Sequence, residues 1–463
     1  MSVNLCRFST HLIFAEINMN KKILNAIDKA KPLMKAAADY IWKHPETGFE
    51  EWKTSKYMET EFIKLGYDIV KFDGIPGFYT VVDTGREGKE VAVLAELDAL
   101  KCTGHPEAAK NGAVHCCGHH AQCSAMIGIA AALKNEGIIA GLSGKIRLCV
   151  VPAEEGVSRE VFEKLFSNNV IKYSHGKMEL MRRKCFDGVD ITFMAHTTAD
   201  DYFSVDKGNV GCLEKRVTYY GTAAHAGAAP WSGCNALNAA IQGIASVNAM
   251  RETFKDSDLI RVASVIEGLE NPVNIIPDKV CVRSQIRATT LEAIKDTNKK
   301  VNRAFCGAAL SIGANIEIED FSIYAPLTND RRLITAAEEA LAIIKPDVAL
   351  NVRNSFFSAS TDMGDLSQIM PVVQLNVPGA SGLLHGNDFK IKNFDLACCG
   401  SAAWQMAFLY VLLGNSGSKA KETAEAYKKK FSDKDEFFDI VDKMLSRGRK
   451  ITYQSDDTAI VQL

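Results

Sequence analysis

The chain has almost no surplus of charge. Its 54 Lys and Arg residues are set against 56 Asp and Glu, for a formal charge of -2. The basic residues are scattered and form no stripe of the kind that phosphate backbones require, so no nucleic-acid partner is expected. Long hydrophobic runs are equally scarce. Only residues 396–414 approach the length of a membrane span without charge, and Gly400, Ser401 and Gln405 lie inside them. A buried core helix is expected there, and no membrane partner. The short apolar stretch at 12–15 is interrupted by Glu16 and leads to no convincing cleavage site. Residues 1–22 therefore read as a ragged extension, with Met19 as an alternative start, and not as a signal peptide. There is no internal repeat.

What is present is the composition of an ordinary globular protein, 47% apolar and 24% charged, over 463 residues. That length calls for more than one core. The 13 cysteines include the adjacent pairs Cys116-Cys117 and Cys398-Cys399. Neighbouring cysteines rarely bond each other, so free or metal-bound thiols in a reducing cytoplasm are expected.

Helical patterning at 23–42, 51–65 and 121–135 alternates with short strands at 68–72 and 79–83. Apolar strands at 91–96, 145–151 and 191–195 are interspersed. Strands apolar on both sides, separated by helices, predict an α/β fold with a mainly parallel sheet covered on both faces. Near Gly208 the pattern changes to strand 213–220, helix 235–253, strands 259–267 and 279–288, helix 291–309 and strand 315–320. That order is the split βαβ unit of a ferredoxin-like α+β domain. The first domain then resumes with helix 331–344, strand 372–376 and the core helix. The expected organisation is a catalytic domain at 20–208 and 323–414, an inserted lid or dimerisation domain at 209–322, and a polar helical extension at 415–463.

Three of the apolar strands end in unusual residues. The strand at 91–96 runs into Asp98, that at 145–151 into Glu154-Glu155, and that at 191–195 into His196. Ligands bind outside the carboxyl ends of open parallel sheets. His115-Cys116-Cys117-Gly118-His119-His120 lies just before a helix and packs five metal-capable side chains into six positions. Imidazole with thiolate favours zinc, with manganese, cobalt or iron also able to occupy a mixed site. Two adjacent carboxylates at a strand end point in different directions, so one can hold a metal while the other handles the proton of the attacking water. His225 sits in the small-residue loop Gly221-Thr-Ala-Ala-His-Ala-Gly, and His385 in the loop Gly382-Leu-Leu-His-Gly-Asn. His11, His44, His105 and His175 read as structural.

Several segments occur together in one order: Ala95-Glu-Leu-Asp-Ala-Leu, His115-Cys-Cys-Gly-His, Val151-Pro-Ala-Glu-Glu-Gly, the His225 loop, Asn274-Ile-Ile-Pro-Asp, Ser360-Thr-Asp-Met-Gly and the His385 loop. In this order, over residues 23–413, the chain resembles the dinuclear metallo-amidohydrolases and metallopeptidases related to aminoacylase and glutamate carboxypeptidase. It is most similar to the subfamily of auxin-conjugate amidohydrolases and aminobenzoyl-glutamate hydrolases. The resemblance implies a zinc-peptidase-like catalytic domain holding two divalent ions per subunit, zinc or manganese. Cys117 would be shared between the metals, and His119, Glu155, His196 and His385 would complete the ligand set. Glu154 would be the general base and acid, and Asp98 would orient the site. His225 would bind the oxyanion or substrate, and Asn274 and Arg287 would line the substrate pocket. The substrate would be a small acyl-amino acid or dipeptide-like amide, and the partner a second copy docked through the inserted domain.

The chain departs from that pattern in places. His120 stands where Asp or Asn is usual, Gln122 where the auxin-conjugate branch has His, and Cys116 where a small residue is usual. An extra stretch at 104–111 precedes the cysteine motif. Two other functions stay open at this stage. One is a thiol hydrolase with Cys117 as nucleophile and His119 as base. The other is a non-catalytic metal-binding homologue.

Overall fold

The computed structural model describes the backbone at residues 2–455 and 458–462 and side chains from residue 18 onward. The chain divides into two compact units. The first comprises Met1–Lys207, Thr328–Ser355 and Met370–Lys429, and the second Gly208–Leu327, Phe356–Ile369 and Lys430–Leu463.

The first unit is built on a mixed, centrally parallel sheet. The order runs Val70–Lys71, Phe78–Asp83, Lys145–Val151, Glu90–Glu96, Ile191–Thr198, Val372–Pro378, Ser204–Asn209. Glu90–Glu96 pairs in parallel with Lys145–Val151 on one side and with Ile191–Thr198 on the other, and the latter pairs in parallel with Val372–Pro378. Every residue from Val91 to Glu96 is buried. Successive side chains point to opposite faces, so both faces of this strand are covered, as its unbroken apolar run predicts. The α/β architecture expected from sequence is the one found.

Helices read from sequence are present with shifted ends. The first runs Ser2–Lys43, well upstream of residue 23 where apolar periodicity begins. Helix His119–Leu133 is buried along nearly its whole length and opens directly on the cysteine–histidine motif. The apolar segment Asp395–Leu413 is the one described helix long and apolar enough to cross a membrane, and 72% of its apolar window is buried inside the protein. It begins as a π-helical turn, Asp395–Gly400, and continues as Ser401–Leu413. The Trp404 indole N–H donates to the Ala337 carbonyl at 2.9 Å, tying this helix to Arg331–Ile344. Two helices before strand Ile191–Thr198 carry no clear sequence signal. One, Arg159–Ser167, buries no residue and is held by its Ser158 cap; the other is Gly176–Arg182.

In the second unit, Gly211–Tyr220, Ala236–Ala249, Arg261–Ile266, Lys279–Ala288, Leu291–Ile312 and Asn315–Tyr324 follow one another as strand, helix, strand, strand, helix, strand. The sheet order is Arg261–Ile266, Lys279–Ala288, Gly211–Tyr220, Asn315–Tyr324, and every pairing is antiparallel. This is the ferredoxin-like arrangement. The polar helical extension expected at 415–463 is helical only in its first part. After helices Ser418–Ala426 and Lys434–Met444 the chain forms strands, and Ser446–Arg449 adds a fifth strand beside Asn315–Tyr324. Its charged residues hid the strand, because they are matched across it. The Arg447 guanidinium donates to Glu317 at 2.9 Å, and the Ser446 hydroxyl to Asp320 at 3.4 Å.

Candidate metal centre

The carboxyl ends of three neighbouring strands deliver acids and an imidazole to one place. Glu96 closes strand Glu90–Glu96, with Asp98 two residues on; His196 lies within Ile191–Thr198; Glu154 and Glu155 follow Lys145–Val151. Helix His119–Leu133 starts at the same end. It is preceded by Gly118 at φ 89°, a left-handed conformation that other residues adopt only with strain, and this turn separates Cys117 from His119. Ala153 (φ 52°) and His385 (φ 61°) adopt left-handed backbones without glycine's freedom. Such strain concentrates where side chains must be aimed.

Asp98 organises the cluster. The His119 ring donates from Nδ1 to the Asp98 carbonyl at 2.8 Å and lies 3.1 Å from its carboxylate, while the Glu155 N–H donates to the other Asp98 oxygen at 2.8 Å. Fixing the proton on Nδ1 turns the Nε2 lone pair of His119 into the cluster. That nitrogen is buried and makes no hydrogen bond, although Glu96 Oε2 is 3.2 Å away and Glu154 Oε2 4.0 Å. His196 repeats the arrangement. Its Nδ1 bonds the Thr197 carbonyl at 2.9 Å and its Nε2 lies 3.3 Å from Cys117 Sγ. His385 Nε2 is 2.9 Å from Glu155 Oε1. Three sets of ligand atoms result: Cys117, His119 and His196; Cys117, Glu155 and His385; Glu96, His119 and Glu154. Within each, the atoms lie within 4.8 Å of one another.

The electrostatics call for a cation. Burial, then Glu155 and Glu154, push the Cys117 thiol well above its usual range. Burial opposes a charged His119, but Glu96, Asp98 and Glu154 overcome it and raise that imidazole well above its usual value. Burial also opposes a charged Glu155, yet the His385 hydrogen bond and charge bring it down to about 2. Burial, then His119, lower His196 to about 4, leaving a neutral ring suited to coordination. A thiol pushed above its usual range beside carboxylates, and an imidazole nitrogen without a hydrogen-bond partner, fit a site that holds metal.

Sequence reading missed Glu96 as a member of this cluster. Its carboxylate has no solvent exposure and receives Lys177 Nζ at 2.6 Å and Gln122 Nε2 at 2.8 Å. Gly176 lets this happen. A Cβ there would lie 1.6 Å from the Pro152 carbonyl oxygen, so only glycine lets helix Gly176–Arg182 approach closely enough to insert Lys177. Glu96 lies in the segment Ala95-Glu-Leu-Asp-Ala-Leu, but its partner is 81 residues away in sequence, and nothing local signals the pair. Gln122, where a histidine was expected by resemblance, accepts the Glu96 N–H at 3.2 Å as well as donating to its carboxylate.

The motif's remaining residues take other places. His120 packs on Trp42 with ring centroids 4.8 Å apart and on His115 at 5.6 Å. Burial, then His119, hold His120 down to about 3, and burial, then His120, hold His115 well below its usual value. Neither belongs to the ligand groups above.

The remaining candidates lie in the second unit. His225 is exposed and forms an isolated β-bridge with Ile275, and the Ala226 N–H donates to the Asn274 carbonyl at 2.9 Å. The N–H groups of Gly227 and Ala228 both reach His225 Nδ1 at 3.1 Å, which assigns the ring proton to Nε2. Arg287, on Lys279–Ala288, donates to the Ser360 hydroxyl at 3.0 Å, joining two motifs read separately in the sequence.

A family profile described as Peptidase family M20/M25/M40 matches residues 92–405. Among curated proteins, the chain is 27% identical over 373 residues to a Xaa-Arg dipeptidase of Mus musculus, covering 76% of this chain and 78% of that one. It is 27% identical over 386 residues to a hippurate hydrolase of Campylobacter jejuni, covering 80% and 94%. Among solved structures, a dinuclear metal binding peptidase of the M20 family from Bacillus subtilis matches with a TM-score of 0.63 at 20% identity, covering 82% of this chain and 98% of that one.

Proposed function

Because the chain belongs to peptidase family M20/M25/M40 and is a hydrolase of amide bonds, we propose that it cleaves the amide of a small N-acyl-amino acid or dipeptide-like substrate with two divalent ions, zinc or manganese, bound at the cluster. The observation that carries this reading is that Cys117 belongs to two separate ligand groups, one with His119 and His196 and one with Glu155 and His385. A thiolate shared between two groups is what a dinuclear centre needs. Bound there, the ions would polarise the scissile carbonyl and make water nucleophilic near neutral pH. The names of the relatives, a dipeptidase and a hippurate hydrolase, support the substrate class.

The chain's own residues do the rest. Glu154 takes the proton of the attacking water and returns it to the leaving amine. Asp98 keeps His119 in the coordinating tautomer and fixes the Glu155 backbone. His225 presents an Nε2–H donor for the oxygen that gains charge as the carbonyl becomes tetrahedral, while Asn274 and Arg287 hold the substrate. We also assign the catalytic role to 20–208 with 323–414 and the lid role to 209–322. A homodimer would form through the inserted domain. Its edge strand Arg261–Ile266 leaves Val265 63% exposed, and closed two-fold pairs are the commonest assemblies. A reducing, cytoplasmic setting fits the free described cysteines, including Cys149 and Cys185, whose sulfurs are 3.3 Å apart.

The thiol-hydrolase alternative requires an ionised Cys117 beside a base. The nearest imidazole nitrogen is that of His196, lowered to about 4, and the thiol itself is raised. Glu154→Gln and Glu155→Gln test the preferred reading. Glu154→Gln should keep its metal and lose about a hundred- to ten-thousand-fold in kcat with little change in KM. Glu155→Gln should lose metal. Equal metal content with wild-type turnover in both would refute the assignment.

A further inference from the structure

The segment at 102–112 closes on itself and then reaches the turn that carries His385. The Cys102 N–H donates to the Gly112 carbonyl and the His105 N–H to the Cys102 carbonyl, both at 2.9 Å. From this closed loop the His105 ring, 6% exposed, makes two complementary bonds. Its Nδ1 accepts the Glu107 N–H at 3.1 Å, which places the ring proton on Nε2, and Nε2 donates to the Phe389 carbonyl at 3.0 Å. Cys102 Sγ lies 3.1 Å from the Asn387 side-chain oxygen and 3.6 Å from the His385 carbonyl. The far side of the turn is held by the His385 N–H, which donates to the Cys116 carbonyl at 2.9 Å.

His385 needs such support. Its side chain is 48% exposed, so burial does not fix it, and its backbone sits at φ 61° without being glycine. A residue in that conformation relaxes unless its surroundings hold it. Phe389, whose carbonyl His105 holds, is fully buried with Val114, Cys116 and Ala380, so it anchors the turn to the segment that supplies Cys117.

We propose that His105, assisted by Cys102, is a positioning residue for His385. It sets how tightly the ion shared by Cys117, Glu155 and His385 is held, and leaves the ion at Cys117, His119 and His196 unaffected. The proposal rests on the two-metal reading above. Partners one step behind a metal ligand typically tune affinity by about 10- to 100-fold.

The test is a zinc titration of the chelated full chain, with metal counted per subunit and the melting temperature of the metal-free protein recorded. Wild type should take up two ions. His105→Ala should take one at wild-type affinity and the second about 10- to 100-fold more weakly. His105→Gln, whose amide can donate to the Phe389 carbonyl, should recover most of the loss, whereas the shorter His105→Asn should not. If His105→Ala does not fold, the Gln and Asn variants decide the matter, and equal second-ion affinities in those two would overturn the proposal. Wild-type binding of both ions by His105→Ala, while His385→Ala loses one, would also overturn it. If His385→Ala itself keeps both ions at full affinity, the two-metal ligand assignment has failed and the brace falls with it.

Discussion

Replacing Lys177 with Met should destabilise the first unit severely, and the reason lies behind the metal cluster. Lys177 and Glu96 are both 0% exposed and pair at 2.6 Å. Burial disfavours the Glu96 anion, and Lys177 is the foremost group holding its carboxyl below the usual value, followed by His119 and His196. Lys177→Met leaves Glu96 with Gln122 on one oxygen and no cation on the other. Removing one partner of a buried pair costs about 3–5 kcal/mol, far more than the pair contributes as a whole. Glu96→Gln takes the carboxylate charge away from the buried ammonium and should cost a similar amount. The double variant, Lys177→Met with Glu96→Gln, removes both charges and should regain most of the loss, a coupling well above the roughly 0.5 kcal/mol seen between independent sites. Urea unfolding of the four proteins, each with and without chelator, measures this. Glu96 also belongs to a candidate ligand group with His119 and Glu154, so an ion bound there should offset part of the Lys177→Met defect, which would be largest in chelator. A Lys177→Met loss below about 1 kcal/mol, or additive single effects, would refute the reasoning.

The inserted domain and the acid limb of stability give further expectations. His225→Ala should fold, keep its metals and lose about a hundred- to a thousand-fold in kcat, as for the loss of one oxyanion donor. Mixing it with Glu154→Gln should restore part of the activity through hybrid dimers if His225 acts across the pair; no recovery despite demonstrated subunit exchange would exclude action in trans. Burial, then Lys177, lower His175 to about 3. The unfolded imidazole protonates near 6.5, so between these values the unfolded state binds the extra proton. The stabilising contribution is then complete above about 6.5 and is lost as pH falls toward 3. His175→Gln should flatten the fall in unfolding free energy below pH 6 by up to about 1.4 kcal/mol per pH unit. An unchanged slope in urea melts from pH 6 to 4.5 would contradict that.

Much of this was legible in the sequence because its signals are local. The apolar run at 91–96 predicts a covered parallel strand, and the alternation from Leu213 to Tyr220 predicts a half-covered one. Metal-capable residues at the ends of three separate strands point to a shared site from the sequence alone. What was not legible depends on partners distant in the chain. Glu96 looks like the end of a strand until Lys177 is placed beside it. Ser446–Arg449 looks like a polar tail until the Arg447 guanidinium is found bonded to Glu317 of the neighbouring strand. His105 reads as an ordinary loop histidine until its ring is seen to bond Phe389, 284 residues away. In the motif at 115–120, residue type alone does not separate Cys117 and His119 from His115 and His120; the resemblance singled out the first two, and the other two lie outside the ligand groups.

The central claim is that amide hydrolysis here runs on a dinuclear centre. Its most direct test is to strip the chain with chelator and add zinc or manganese back stepwise while following cleavage of N-acyl-amino acids and Xaa-Arg dipeptides. The account predicts negligible activity without metal, recovery that is complete only near two ions per subunit, and no recovery in Glu154→Gln despite the same metal content. Full hydrolysis by verified metal-free protein would contradict it.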